Sequence, residues 1–278
     1  MLKDITIGQY YQANSIIHRL DPRTKIAASM VYIIAMFIAN TVVGYLLTFA
    51  LFLVAVSLSS VPARKLLAGI KPLWFIILFT FIVNLFFGVD KENALFAWGP
   101  LAVTKIGIIS AIALSVRLIL LIMGTSILTL TTSPIQLTDG IESLLSPLKA
   151  IGFPAHEIAM MMTIALRFIP TLLEETDKIM KAQMARGADF TSGGLITRAK
   201  GIIPLLVPLF VSSFRRAEEL AMAMESRCYR GGKGRTRMKE MSFATPDYVS
   251  WGIMAAYTAG VFVDRFVLAG ILGFAKLV

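Results

Sequence analysis

The sequence predicts an all-α integral membrane protein with about five transmembrane helices. Of its 278 residues, 56% are hydrophobic and only 16% are charged, and the hydrophobic residues are concentrated in long runs. Because a soluble domain is about a quarter charged, this composition excludes an ordinary cytosolic enzyme and a disordered chain. Residues 1–25 are polar and mixed and do not resemble a secretory signal, so we expect insertion to use the first span.

Five apolar segments come close to the length of roughly 20 residues that a transmembrane helix needs. They cover residues 26–43, 45–61, 72–88, 106–131, and a last one from 248 to at least 263. Only a tight turn around residues 40–44 separates the first two segments, which predicts a helical hairpin. Residues 89–105 are predicted to be a loop.

The distribution of Lys and Arg predicts the orientation, because cytoplasmic loops are enriched in these residues. Four precede the first span and three lie between the second and third: Lys3, Arg19, Arg23, Lys25, Arg64, Lys65 and Lys71. The turn at 40–44 has none, and the loop at 89–105 has two. We therefore expect a plasma-membrane protein with a cytoplasmic N-terminus and, after five crossings, an extracellular C-terminus.

Residues 132–247 are predicted to form a cytoplasmic module between the fourth and last spans. They contain 15 Lys and Arg and 12 Asp and Glu, yet they remain rich in Leu, Ile, Met and Phe. This mixture fits neither a disordered loop nor an ordinary charged domain. We expect three parts: residues 1–131 with an N-terminal cytoplasmic segment and four spans, the module at 132–247, and a C-terminal span within 248–278.

The module begins with a predicted amphipathic helix over residues 155–185. Pro154 precedes it, Gly187 ends it, and Pro170 should kink it. At 100° per residue, one stripe carries charge and the opposite side is rich in Met, Leu and Ile; the charged residues are Arg167, Glu174, Lys178 and Lys181. The same pattern also fits a helix that rests on the membrane or on neighbouring helices.

A second helical run is predicted to begin near Ile202, after a flexible stretch at residues 191–194. Its apolar part, residues 202–214, is too short to cross a membrane and contains Pro204 and Pro208. Further along, Arg215 and Glu219 have the i,i+4 spacing of a helical ion pair.

The two helices end alike, in Ala185-Arg186-Gly187 and in Ser226-Arg227-Cys228. An arginine at a helix C-terminus has a simple structural explanation, since it complements the negative helix end. Small neighbours would also leave each guanidinium free to enter a groove of a partner protein, where it can pair with carboxylates or carbonyls. These six residues are the candidate partner-binding residues.

With these motifs, the sequence resembles the EcfT (CbiQ-like) family of transmembrane coupling proteins in energy-coupling factor transporters. Ala185-Arg186-Gly187 is similar to the family's first Ala-Arg-Gly motif, and Ser226-Arg227-Cys228 stands at the place of the second. Residues 15–25 resemble the family's S-x-x-H-x-L-D-P-R-x-K opening, and the Arg-Phe-Ile-Pro stretch at 167–170 and Arg230-Gly231 also fit. The sequence departs from the second motif, where Ser226 and Cys228 replace Ala and Gly.

The resemblance implies an L-shaped subunit whose module contains coupling helices. Its two arginine-bearing helix ends would dock on two ABC-type ATPase subunits, EcfA- and EcfA′-like. Its coupling helices would hold an S-component, a small membrane protein that binds a vitamin or metal ion. The protein would then link ATP hydrolysis by its partners to micronutrient uptake, without being an enzyme and without a cofactor, catalytic residues or a metal site of its own.

Two other function classes fit the residues less well. A self-sufficient secondary transporter typically uses ion sites at the membrane midplane, and the spans nearly lack acidic residues. A membrane-embedded enzyme would need paired acids, a histidine box or a Ser/His arrangement, and none is evident near the spans.

Two further motifs do not predict binding of nucleotides or nucleic acid. In the glycine-rich residues 231–234 the lysine is not followed by the Ser or Thr of a P-loop, so no nucleotide site is expected there. The basic run at 230–239 fits an anionic membrane surface better than nucleic acid.

Several single residues have structural explanations. Arg117 lies in the fourth span, where it either lines a functional path or pairs with a polar group or backbone carbonyl. Asp21 and Pro22 have the pattern of a helix start. Asp264 and Arg265 are expected to neutralise each other, and His18 and His156 show no ligand pattern. The single cysteine, Cys228, excludes disulfide frameworks.

Overall fold

The computed structural model of the chain describes residues 10–86, 94–98, 101–188, 194–232 and 241–268. Its helices are α1 (Ile16–Arg19), α2 (Pro22–Ile38), α3 (Val42–Ser59), α4 (Ala63–Ile70), α5 (Trp74–Phe86), α6 (Lys105–Thr131), α7 (Pro134–Leu145), α8 (Ala155–Ala185), α9 (Leu195–Ser226) and α10 (Thr245–Val263). Two 3-10 turns, Lys71–Leu73 and Ser146–Ile151, and a π-helical turn, Asp264–Leu268, complete the helical part. The all-α prediction is confirmed.

A small antiparallel strand pair interrupts the helical pattern. Strands β1 (Ala94–Trp98) and β2 (Leu101–Thr104) lie in the segment that the sequence predicts to be a loop. The short helices α1, α4 and α7 were also not predicted, because a search for hydrophobic runs long enough to span a membrane does not detect them.

The described residues divide into two compact units. The first, called the bundle unit here, lies within residues 8–140 and 241–278, and the second, the hairpin unit, lies within residues 141–240. The predicted divisions fall after residues 131 and 247 instead, and helix α7 begins in one unit and ends in the other. The assignment of the three parts to membrane and cytoplasm stays a prediction, as does the L-shape.

Four helices in the described part of the chain are long and apolar enough to cross a membrane. Three contain predicted spans: α3, the continuous stretch Ala63–Phe86, and α6. The predicted spans α2 and α10 are not among the four; α2 has 17 residues, and α10 begins with the polar sequence Thr-Pro-Asp. The fourth is α8, which carries Arg167 and Pro170. Its predicted location outside the membrane stays a prediction.

Helices α2 and α3 form the predicted hairpin, and two arginines stabilise the end of α2. Arg117 Nη2 donates a hydrogen bond to Ala39 O at 2.8 Å, and Arg265 Nη1 donates to Ile38 O at 3.0 Å. Cations in this position complement the negative end of a helix. Arg117 is only 8% exposed and also donates to Asn40 Oδ1. The structure therefore favours the interpretation of Arg117 as a residue that pairs with a backbone carbonyl.

Asp264 stabilises the start of α3. Its carboxylate accepts a hydrogen bond from the hydroxyl of Thr41, the N-cap residue of that helix. A negative charge is favourable near a helix N-terminus, and Asp264 is buried. The expectation that Asp264 and Arg265 neutralise each other is wrong, because each side chain bonds to a different helix end.

The S-x-x-H-x-L-D-P-R-x-K motif connects the N-terminal segment to α2 and α6. Ser15 caps α1 and bonds to His18 Nδ1, and His18 Nε2 lies 2.8 Å from Tyr11 O. Buried Lys25 donates from Nζ to His18 O at 3.1 Å and to Thr131 O at 3.0 Å. Each of these contacts is internal, which agrees with a structural role for His18.

Two aspartates join the start of α2 to the start of α10. Asp21 accepts a hydrogen bond from Arg23 N at 2.9 Å, and Pro22 takes the first helical position, as predicted. Asp247, only 1% exposed, accepts hydrogen bonds from Asp21 N at 2.8 Å and from Ala244 N at 2.9 Å. No local pattern indicates this role for Asp247, because its main partner lies 226 positions away.

Gly124 of α6 allows α2 to pack closely, which leads to a prediction. A Cβ atom at this position would overlap the ring of Tyr32, whose hydroxyl donates to Leu120 O at 2.9 Å. We expect Gly124→Ala to lower the free energy of unfolding by about 2 kcal/mol, measured in mild detergent by SDS titration with circular dichroism. Gly252→Ala in α10 is the control: nothing lies within 4 Å of that Cβ, so we expect no loss and up to about 1 kcal/mol of gain. Equal stability of the two variants would contradict the packing argument.

Candidate partner-binding site

Helix α8, which carries the first candidate arginine, begins and ends where the sequence predicts. Pro154 precedes its first residue, Glu157 lies in its first turn, and Gly187 follows its end. Pro170 lies inside the helix. The four charged residues of the predicted stripe are exposed, as expected of a solvated face: Arg167, Glu174, Lys178 and Lys181.

Helix α9 is longer than predicted. It begins at Leu195 rather than near Ile202 and continues through Pro204 and Pro208. Each proline removes one backbone hydrogen bond at a cost of roughly 3 kcal/mol, which a helix of 32 residues can tolerate. Both prolines of the apolar run therefore lie inside one continuous helix. Of the stretch predicted to be flexible, residues 191–193 lie outside the described residues.

The two helices pack antiparallel within the hairpin unit. Arg216 Nη2 of α9 donates to Glu175 Oε2 of α8 at 2.7 Å, and both side chains are partly buried. Gly232, beyond the end of α9, lies against the ring of His156 at the start of α8. The end of α9 is therefore near the start of α8. The exposed ion pair between Arg215 and Glu219 forms as predicted.

The first arginine motif ends α8 in a Schellman arrangement. The backbone N–H of Gly187 donates to Met184 O, and that of Ala188 donates to Gln183 O, both at 3.0 Å. Gly187 has φ +87°, in the left-handed region where glycine is favoured. Arg186 is the last residue before this turn, with φ −90°.

The second motif ends α9 with the same hydrogen-bond pattern. The N–H groups of Cys228 and Tyr229 donate to Glu225 O at 2.8 Å and to Met224 O at 3.0 Å. Arg227 has φ −90°, the same value as the arginine of the first motif. The two arginines thus leave their helices in the same backbone geometry, although the second motif lacks glycine.

Cys228 is strained, which leads to a second prediction. Its φ of +56° costs a residue with a Cβ atom roughly 1 kcal/mol relative to glycine. We expect Cys228→Gly to raise the free energy of unfolding by about 0.5–1 kcal/mol and Gly187→Ala to lower it by a similar amount, again by SDS titration. Cys228→Ala is the matched control, and an equal gain from that variant would rule out relief of strain as the cause.

The six candidate residues are exposed at two separate places. Neither Arg186 nor Arg227 makes a side-chain hydrogen bond or ion pair with any residue in the described part of the chain. Because the helices are antiparallel, the arginines lie at opposite ends of the hairpin. Helix α8 has 31 residues, which corresponds to a length of about 45 Å at 1.5 Å per residue. The candidate residues thus lie at two separate places and do not form one composite site.

Helix α9 also carries an exposed apolar stripe. Ile203, Val207, Phe210 and Phe214 are each more than half exposed, and spacings of four, three and four residues place them on one face. A contiguous exposed apolar surface of this kind marks a site of contact with protein or membrane.

One further polar contact in the hairpin unit joins His156 to Glu142. His156, for which the sequence indicates no partner, has Nδ1 3.0 Å from Glu142 Oε1, a contact across a turn that helical spacing does not reveal. Among the described residues no group of three His, Cys, Asp or Glu side chains could hold a metal ion. Most of the predicted basic run at 230–239, namely residues 233–239, lies outside the described residues.

The chain is similar over most of its length to transporter proteins. The CbiQ family, described as cobalt transport protein, matches residues 13–238. The energy-coupling factor transporter transmembrane protein EcfT of Acidaminococcus fermentans is 57% identical over 256 residues, 92% of this chain and 95% of the relative. The protein of the same name from Thermosediminibacter oceani is 54% identical over 267 residues (96% and 100%), and that from Bacillus subtilis is 47% identical over 276 residues (99% and 100%). The chain belongs to the CbiQ family.

This member of the CbiQ family is a membrane protein and a transmembrane component of an energy-coupling factor transporter. The resemblance drawn from the motifs is confirmed. The matched residues 13–238 include the S-x-x-H-x-L-D-P-R-x-K motif and both arginine motifs. The similarity to the Bacillus subtilis relative covers nearly the whole chain.

Proposed function

We propose that the protein is the non-catalytic coupling subunit of an energy-coupling factor importer. It binds two ABC-type ATPase subunits and an S-component, and it links ATP hydrolysis by the ATPases to uptake of the vitamin or other micronutrient that the S-component holds. The N-terminus and residues 132–247 lie in the cytoplasm, and the C-terminus is extracellular. The observation that carries this proposal is the presentation of two exposed arginines by matching helix ends on opposite ends of one hairpin.

The arginine motifs suit docking on two similar partners. Arg186 and Arg227 each present a planar guanidinium that can form paired hydrogen bonds with a carboxylate. Their neighbours are small, so a partner's groove can close around the guanidinium; these neighbours are Ala185, Gly187, Ser226 and Cys228. Two ATPase subunits of one fold would offer two similar grooves, and the similar backbone geometry of the two helix ends matches that arrangement.

The hairpin can transmit motion between its ends and its apolar stripe. The contact between Arg216 and Glu175 couples α8 to α9 about two-thirds of the way along each helix. When ATP binding draws two ATPases together, helices anchored at opposite ends move as packed elements rather than bending. The stripe from Ile203 to Phe214 lies on α9 between the two anchored ends, so it moves with them.

The apolar stripe is the surface for the S-component. A small membrane protein exposes apolar helix faces, and four large apolar side chains on one face of α9 complement them. On this assignment the S-component, not this chain, recognises the transported molecule. The chain then acts through binding and movement and needs no cofactor or catalytic residue.

Affinity purification of the tagged protein from its native membrane in mild detergent tests the proposal. We expect two P-loop ATPases and at least one small hydrophobic protein to co-purify, with ATPase activity in the complex and none in the chain alone. Purification of the chain without partners, combined with solute transport by the chain alone in liposomes, would instead establish a self-sufficient secondary transporter.

A further inference from the structure

The bundle unit contains a cleft of about 390 Å³ that partner binding does not explain. Residues of α1, α2, α3, α6 and α10 line it, and nearly all of its surface is apolar. The volume falls within the range of roughly 300–1,000 Å³ that ligand sites occupy. The cleft is therefore large enough for part of a small apolar molecule.

The cleft lies where α3 ends and α10 begins. At the opposite ends of these two helices, the hydroxyls of Thr48 and Tyr257 are 3.0 Å apart, and both are buried. Toward the cleft, Leu58 of α3 and Val249 of α10 line the cavity and remain exposed. The two helices are thus in contact at one end and leave a cavity between them at the other.

The buried and exposed lining residues show which side is open. The floor consists of Tyr32, Phe52 and Met254, each less than 9% exposed. The mouth is formed by apolar residues of α3 and α10 that are 39–57% exposed; they are Val54, Leu58, Val249 and Ile253. If α3 and α10 both span the membrane as the sequence predicts, this mouth faces lipid hydrocarbon rather than water.

Basic side chains lie at one end of the cleft. Lys25 lines it, and its ammonium group uses two of its three donors on His18 O and Thr131 O. The buried carboxylates of Asp21 and Asp247 also interact with this ammonium group, so exposed Arg19 is the charge that is left for a headgroup. Arg19, next to the lining residue Leu20, is exposed. In the predicted orientation this end faces the cytoplasmic leaflet, which carries the anionic lipids.

We propose that the cleft binds one acyl chain of an anionic phospholipid from the cytoplasmic leaflet, with the headgroup at Arg19 and Lys25. The apolar floor and the lateral mouth suit a hydrocarbon chain, and the basic side chains at one end suit a headgroup with a net negative charge. The binding site requires the predicted membrane orientation but does not depend on ATPase or S-component docking.

Native mass spectrometry of the full chain, released from nanodiscs with equal amounts of phosphatidylglycerol and phosphatidylcholine, tests this site. We expect the wild type to retain one phosphatidylglycerol. Ala55→Trp, which fills the cleft from α3, should lose it, and Ser250→Trp should do so from α10. The matched control is Ala50→Trp, an exposed position of α3 outside the cleft, which should retain the lipid.

Charge variants test the headgroup contact. Lys25→Gln should remove the preference for phosphatidylglycerol over phosphatidylcholine, and exposed Arg19→Gln should weaken it even if the buried substitution prevents folding. Equal retention of both lipids by the wild type, or unchanged retention in Ala55→Trp and Ser250→Trp, would overturn the proposal. Absence of lipid from the wild type, with loss of a co-purifying protein in Ala55→Trp, would assign the cleft to a protein segment instead.

Discussion

Reversing the charge of both exposed arginines, in the double variant Arg186→Glu and Arg227→Glu, is expected to abolish assembly with the ATPase subunits and ATP-driven uptake. Truncating one member of a desolvated, hydrogen-bonded charge pair costs roughly 2–5 kcal/mol of binding free energy, and reversal adds repulsion. Two such losses lower the affinity by more than about a thousandfold, since each 1.4 kcal/mol is tenfold. Co-purification of tagged protein with both ATPases, and uptake in cells, measure the effect.

The single variants distinguish two docking points from one. Because the arginines lie at opposite ends of the hairpin, the losses caused by Arg186→Glu and Arg227→Glu should add nearly independently. Arg215→Glu is the matched control: its exposed side chain lies on α9 away from both helix ends and forms its ion pair with Glu219 one turn away, so we expect assembly to change less than about twofold. If this control weakens assembly as much as Arg186→Glu does, net charge rather than the helix ends governs docking.

The sequence predicted the ends of a helix well where a long apolar run, or a proline or glycine at the end, marks them clearly. Long apolar runs located α6 to within a residue at its start, and Pro154 and Gly187 bracketed α8 correctly. The start of α9 was placed near Ile202, seven residues late, because residues 197–201 (Thr-Arg-Ala-Lys-Gly) carry no apolar run and end in glycine, while the helix begins at Leu195 and continues through Pro204 and Pro208. Packing against α8 and hydrogen bonds on either side outweigh a local preference.

The candidate site was also predicted in part. Periodicity and a repeated motif found Arg186 and Arg227, but the matching turn geometry of the two motifs follows only from the backbone, since Cys228 adopts a conformation that favours glycine. The contacts that fix the bundle were not predictable from spacing. Arg117 bonds to a residue 78 positions away, and Asp247 to one 226 positions away.

Removing the buried carboxylate in Asp247→Ala is expected to lower the free energy of unfolding by about 4 kcal/mol. The substitution leaves the buried N–H of Asp21 without an acceptor, at roughly 1–3 kcal/mol, and it also removes the acceptor of the partly buried N–H of Ala244. It also removes a negative charge that interacts with buried Lys25, and breaking buried charge pairs typically costs about 3–5 kcal/mol in total. SDS titration of the purified chain in mild detergent, followed by circular dichroism, measures the change.

Two further variants separate this contact from a general effect of charge. Asp247→Asn keeps the shape and one acceptor oxygen, so its loss should be intermediate, because the amide nitrogen would face one of the two N–H donors. Asp177→Ala removes an exposed carboxylate that pairs with Lys181, and we expect less than about 1 kcal/mol. A loss in Asp247→Ala no larger than in Asp177→Ala would mean that the starts of α2 and α10 are held together by apolar packing, and that the aspartate only orients the turn before α10.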